Sequence, residues 1–184
     1  MPINLQQLYE NTLVLKSQLG DGEAFGKLLE IFGPRLALFI QRMVQNSGID
    51  SADVTQEIWL AIYRALPKLK DISKFRAWAF RIARDRIYRE YRKRKIHSQN
   101  ADLPPVEEMA EASPEIDSER KEALDACLCQ IAPEHRETLV LRFFEEMSYE
   151  DIALVTGVTI GTVRSRIHYG KQALKNVWEN KNYE

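Results

Sequence analysis

The stretch from Ser148 to Leu174, SYEDIALVTGVTIGTVRSRIHYGKQAL, leaves this chain few folds to choose from. Ser148 stands three residues before Asp151, the spacing at which a hydroxyl caps a helix and an acid answers it, and Ile152, Ala153 and Val155 then supply an apolar face. A short helix is predicted there. Gly157 can take the positive φ of a tight interhelical turn, and Thr159 is placed to cap a second helix. In that second helix Val163, Ile167, Leu174 and Val177 recur at spacings of four, seven and three and share one face, so Thr162, Arg164, Ser165, His168 and Lys171 point elsewhere. This is a helix-turn-helix pattern. An exposed face of hydroxyls, cations and an imidazole suits the base edges and phosphates of a DNA major groove. An amphipathic hairpin with a merely solvated polar face would satisfy the same spacing.

A formal net charge of -1 over 184 residues conceals a sharp division. From Lys74 to Lys95 there are ten Lys or Arg against Asp85 and Glu90, whereas Ser98 to Ser118 holds six acids and no Lys or Arg. A basic block followed by an acidic one implies a polyanion-binding surface beside a segment that competes for it. No apolar run reaches membrane-spanning length, and the amino terminus has neither a basic nor an apolar leader region, so a cytoplasmic protein without membrane insertion is expected. Cys127 and Cys129, one residue apart on a predicted helix, diverge by about 200° and suit neither a mutual disulfide nor a shared metal. His97, His135 and His168 are scattered along the chain. No catalytic triad, metal site or cofactor is expected.

The remaining pattern is helical throughout. Leu5 to Gln18 reads as a weakly amphipathic helix, and Asp21 as the cap of a second carrying Phe25, Leu28, Leu29 and Phe32, with Gly33-Pro34 expected to interrupt or restart it before Leu36, Phe39, Ile40, Met43 and Val44. After a turn, Asp50 or Ser51 caps a helix over DVTQEIWLAIYRAL, residues 53–66. Val54, Ile58, Ala61, Ile62 and Ala65 face inward, while Leu60 is ringed by Asp53, Gln56, Glu57 and Tyr63, an apolar centre with a polar rim of the kind that docks proteins. Lys68 to Ile72 forms a loop and Ser73 is placed to cap a long helix with Phe75, Ala79, Ile82, Ala83 and Ile87 buried. Arg81, Arg84, Tyr88, Arg92 and Lys95 project from its opposite side, where cations neutralise phosphates and a ring stacks on an unpaired base. Pro104, Pro105 and Pro114 among acids make 98–117 a linker between two small helical domains, 1–97 and 118–184, so the fold class is all-α. In the second domain Ile116, Leu124, Leu128 and Ile131, and after Pro133 the run Leu139, Val140, Leu141, Phe143 and Phe144, supply the apolar stripes. Two readings fit parts of this pattern: a helix-turn-helix regulator that binds an operator by itself, and an interaction module whose basic helix binds acidic proteins.

Taken together, DVTQEIWLAIYRAL and FRAWAFRIARDRIYREYRKRK in the first half and IAPEHRETLVLRFFEEMSYEDIALVTGVTIGTVRSRI in the second resemble an extracytoplasmic-function sigma factor of bacterial RNA polymerase, the compact kind with only the second and fourth sigma domains. The resemblance covers nearly the whole chain. It implies that Asp53, Gln56, Glu57 and Leu60 dock on the β′ clamp of core polymerase, with the second domain on the β flap. It implies that Lys68, Lys70 and Lys74 lie in a loop that captures a base flipped from the minus-10 element, with Arg81, Arg84, Tyr88 and Arg92 along the adjoining DNA. Thr162, Arg164, Ser165 and His168 would face the minus-35 element and Arg136 would hold a nearby phosphate. An anti-sigma factor is the implied inhibitor, and the acidic linker would thread toward the polymerase interior. Asp85 stands where such proteins usually carry Asn, and Tyr169 and Gly170 where they tend to have Arg and Ala; glycine there weakens the helix by about 1 kcal/mol.

Overall fold

The computed structural model describes residues 5–98 and 116–181, and all regular structure among them is helical. The first unit comprises α1 (Leu5–Gln18), α2 (Gly22–Val44), α3 (Ser51–Ala65) and α4 (Phe75–Ser98). The second comprises α5 (Ile116–Gln130), α6 (Pro133–Leu139), α7 (Tyr149–Thr156) and α8 (Ile160–Lys181). The expected linker, 98–117, lies outside the described residues except at its ends, which are helical.

Local chemistry sets most boundaries. The Asp21 carboxylate accepts from the Ala24 amide to start α2, and Asp50 accepts from Ala52 and Asp53 to start α3. The turn between them needs left-handed backbone at Asn46 and Gly48, φ 58° and 67°. Two expectations are corrected. Pro34 does not interrupt α2, because Leu28, Phe32, Leu36, Phe39 and Ile40 keep one buried stripe in phase across it, while Pro34 and the Glu30 carbonyl it leaves unbonded lie on the exposed side. Ser73 does not cap α4, because a 3-10 turn, Ile72–Lys74, precedes the helix and is capped by Asp71, to which both the Ser73 amide and hydroxyl donate.

Leu28, Leu36, Phe39, Ile40, Ile58, Ile62, Phe80 and Ile87 fill the first core. Phe39 and Phe80 meet edge to face at 5.2 Å, tying α2 to α4. Leu128, Leu139, Val140, Leu141, Ile152, Val155, Val163 and Ile167 fill the second, where a π-helical turn, Val140–Phe144, extends α6. Cys127 is buried, Cys129 half-buried, and both are free thiols. The two units do not stand apart. Helix α4 packs against α7, and α2 against α5 and α6, so the buried residues of both halves form one continuous cluster.

Candidate nucleic-acid interface

The helix-turn-helix is built from its own short-range bonds. The Ser148 hydroxyl accepts from the Asp151 amide at 3.0 Å, capping the first turn of α7, and donates to the Asp151 carboxylate. Gly157 ends that helix at φ 71°, and Thr159 accepts from Thr162 to begin α8. Val163 and Ile167 are buried against the core, which turns Arg164, Ser165 and His168 outward; Thr162 is half-buried. The Ser165 hydroxyl donates to the Thr162 carbonyl, and the His168 ring meets Tyr169 edge to face at 5.2 Å. Gly170 has a packing reason that the sequence did not disclose. A β-carbon there would come within 3.3 Å of His135 and of the buried Leu139, so α8 runs as close to α6 as the missing side chain allows.

The basic face of α4 is not open to solvent along its length. Lys74 Nζ lies 2.9 Å from Asp151 Oδ1, Arg84 Nε 2.9 Å from Glu137 Oε1, and the Tyr88 hydroxyl 3.4 Å from Glu137 Oε2. Arg81 reaches the Leu154 carbonyl at 3.5 Å. Ala77, on the same stripe, is buried as well. Four of the residues assigned to minus-10 DNA thus contact the second unit, Arg84 and Tyr88 half-buried and Lys74 and Arg81 still exposed, as are Lys68, Lys70 and Arg92. Glu137 is wholly buried, and burial pushes its carboxyl up to about 7 against the opposing pull of Arg84 and Arg166. Burial and the Glu137 carboxylate likewise push the Tyr88 phenol up.

Arg136, to which the resemblance assigned a phosphate, is held among carbonyls here. Only 7% exposed, its guanidinium donates to the Cys129 carbonyl at 2.7 Å and lies 3.3–3.4 Å from the carbonyls of Met43 and Arg42 in the first unit. It ties the two units together in this arrangement. Sequence reading missed Arg35, Arg42, Asp125 and Glu145 altogether. Arg42 pairs with Asp125 at 2.8 Å and lies over the Phe144 ring, and Glu145 takes Arg35 at 3.0 Å and Arg76 at 3.4 Å. A signal was present for Glu137 alone, an acid running directly into the buried apolar stretch Leu139 to Leu141, where a charge is stable only with a partner.

On the far side of the first unit, Leu60 and Tyr63 are 47% and 53% exposed, with Asp53, Gln56 and Glu57 exposed around them. Phe25 braces Tyr63 at 4.9 Å, and Arg86 of α4 pairs with the Glu57 carboxylate. The loop after α3 is held by Gln18, whose amide donates to the carbonyls of Leu66 and Leu69 at 3.0 and 2.7 Å.

The sequence profile of Sigma-70 region 2 matches residues 28–96, and that of Sigma-70 region 4 matches residues 121–174. The chain is 33% identical over 183 residues to the ECF RNA polymerase sigma-E factor of Escherichia coli K12, an alignment covering 93% of this chain and 95% of that protein. The chain belongs to the ECF sigma factors. The sigma-E factor of Haemophilus influenzae is 30% identical, with 93% and 96% covered. Among solved structures, the sigma factor RpoE of Bartonella quintana, in complex with the anti-sigma factor NepR, superposes with a TM-score of 0.76 at 24% identity, covering 84% of this chain and 96% of that one. CnrH, in complex with the cytosolic domain of CnrY, gives 0.71 at 24% identity, covering 94% and 98%. In this sigma factor the region 2 match takes in the α3 patch, the loop and the basic helix. The region 4 match ends at Leu174, beyond Arg164, Ser165 and His168 on the outward face of α8.

Proposed function

We propose that this sigma factor binds core RNA polymerase through the α3 patch, directs it to promoters with a minus-10 and a minus-35 element, and helps open the duplex by trapping an unstacked base. The observation that carries the reading is the order of the two matched regions along one chain, the first bearing an exposed apolar patch with a charged rim and the second an exposed recognition face on α8. Leu60 and Tyr63 supply the apolar centre for the β′ clamp, and Asp53, Gln56 and Glu57 the rim. Lys68, Lys70 and Lys74 lie in the base-capturing loop, with Arg81, Arg84, Tyr88 and Arg92 along the adjoining DNA once the second unit releases Arg84 and Tyr88. Flipping one base costs a few kcal/mol of stacking and pairing, which a pocket and a basic groove offset. Thr162, Arg164, Ser165 and His168 read the upstream element, and the second domain seats on the β flap. The chain supplies positioning and charge and no bond chemistry of its own. Two solved neighbours were captured in complexes, one with an anti-sigma factor and one with the cytosolic domain of CnrY, and an anti-sigma factor is the proposed antagonist here.

The test is in vitro transcription by bacterial core polymerase on a pool of genomic promoter fragments, with and without this protein, followed by mapping of starts. Starts that require the protein and share two upstream elements at fixed separation are expected. Binding of the protein to duplex operator-like sites with no affinity for polymerase would overturn the reading.

A further inference from the structure

One cation of the basic helix points toward neither its outward stripe nor the second unit. Arg86 stands about 200° around α4 from both Arg84 and Tyr88, and its ion pairs among the described residues all lie within the first unit. Its Nη2 pairs with Glu57 Oε2 on α3 and lies 3.2 Å from Glu90 Oε1 on its own helix. Lys93 Nζ reaches the same Glu90 oxygen at 2.9 Å. The Lys93 hydrogen bond, with the Arg86 charge beside it, holds the Glu90 carboxyl below its ordinary value, so the acid that steadies Arg86 stays ionised. The pairing is asymmetric: Arg86 is half-buried with its Nε enclosed, whereas Glu57 is exposed on the rim of the α3 patch, three residues before Leu60.

Resting on the reading that the α3 patch docks on core polymerase, we propose that Arg86 is a positioning residue for that docking: steadied by Glu90, it holds the Glu57 carboxylate in place at the patch rim, ready for a basic group of the polymerase.

An exposed glutamate is a long, freely rotating side chain, and a partner that fixes it must offset the rotamer freedom it loses. A cation that fixes it beforehand removes that cost from the binding step. Arg86 takes Oε2, and an ionised carboxylate accepts at both oxygens, so Oε1 can still answer a partner's donor. A partly exposed ion pair stabilises a fold only slightly, so the consequence of this one lies in where it keeps the carboxylate. Helix α4 then has two working sides, the stripe from Arg81 to Arg92 for nucleic acid and Arg86 for the polymerase-docking helix beside it.

A double-mutant cycle over Arg86 and Glu57 tests this, read as the affinity of the full-length protein for core polymerase by fluorescence competition. Arg86→Met, which keeps the apolar stem and removes the guanidinium, should weaken binding about fivefold, and Arg86→Lys, which keeps a cation, should regain part of the loss. In a Glu57→Gln background Arg86→Met should change affinity less than about twofold, because no carboxylate is left to place. A merely structural role would cost the same factor in both backgrounds, and equal losses overturn the proposal. Wild-type affinity of Arg86→Met also overturns it when Leu60→Ala weakens binding, since the patch then docks without the preset carboxylate. Should Arg86→Met lose helical content, Glu90→Gln asks the same question from behind: binding should weaken about twofold, and only while Glu57 is present. An equal loss with and without Glu57, or none, overturns the proposal there too. If Glu57→Gln and Leu60→Ala both leave affinity unchanged, the docking reading itself fails and takes the role of Arg86 with it, whereas failure of the Arg86 variants alone leaves that reading standing.

Discussion

At Glu137 the cost of burial and the value of pairing meet in one carboxyl. Its raised value means that, between its ordinary 4.5 and about 7, the folded protein holds a proton that the unfolded chain has released. Stability from this group is therefore greatest at low pH and is lost as pH rises through that window, amounting to about 3 kcal/mol at most. Glu137→Gln, which keeps the shape and removes the titration, should flatten the difference in urea midpoint between pH 5 and pH 8 relative to wild type. Gly170 offers a second residue-scale test. Alanine there would add about 1 kcal/mol of helix propensity, but its methyl meets Leu139 and His135 at 3.3 Å, and crowding a packed site costs about 1–3 kcal/mol. Gly170→Ala should thus fail to raise the melting temperature and should lower it by a few degrees, as circular dichroism can read. The sequence alone pointed toward the opposite expectation, because the close approach of α6 is a property of two segments and not of one.

Among the elements, those whose shape is set by near neighbours were legible from the start. The caps at Asp21, Asp50 and Ser148 and the glycine turn at Gly157 follow from residues two to four positions apart, and the inward stripe of α3 follows from periodicity. The outward side of α4 was legible in composition but not in setting, since a stripe of Arg and Tyr at helical spacing looks the same whether it meets solvent, DNA or a carboxylate thirty or more residues away. Ala77 was the quiet clue, a small apolar residue on the supposedly open stripe. For α3, replacing Glu57 and Leu60 with alanine should weaken core polymerase binding at least tenfold, about 1.4 kcal/mol, in a fluorescence competition assay. The partly exposed Glu57–Arg86 pair adds only about 0–1 kcal/mol to the fold, so the thermal midpoint should barely move; unchanged affinity would remove the docking role.

For the whole molecule, two helical domains were foreseen and their contact was not, because nothing in either half's periodicity encodes which carboxylate of one will find which arginine of the other. That contact has an ionic-strength signature. Both partners of Lys74–Asp151 and the Arg35 side of Arg35–Glu145 are partly exposed, so raising salt from about 0.05 M to about 0.5 M, which shortens the screening length to a few ångströms, should lower severalfold the yield of a Lys74–Asp151 amide formed by zero-length carbodiimide coupling, while helical content holds. The one-sided distribution of charge across this contact also bears on traffic inside a cell. A chromosome presents millions of weak, sequence-indifferent phosphate sites, and a small protein displaying the whole block from Lys74 to Lys95 would spend its time adsorbed on them. With Arg76 and Arg84 half-buried against carboxylates, fewer cations of the block are left to meet those phosphates, and such retention is the weaker for it.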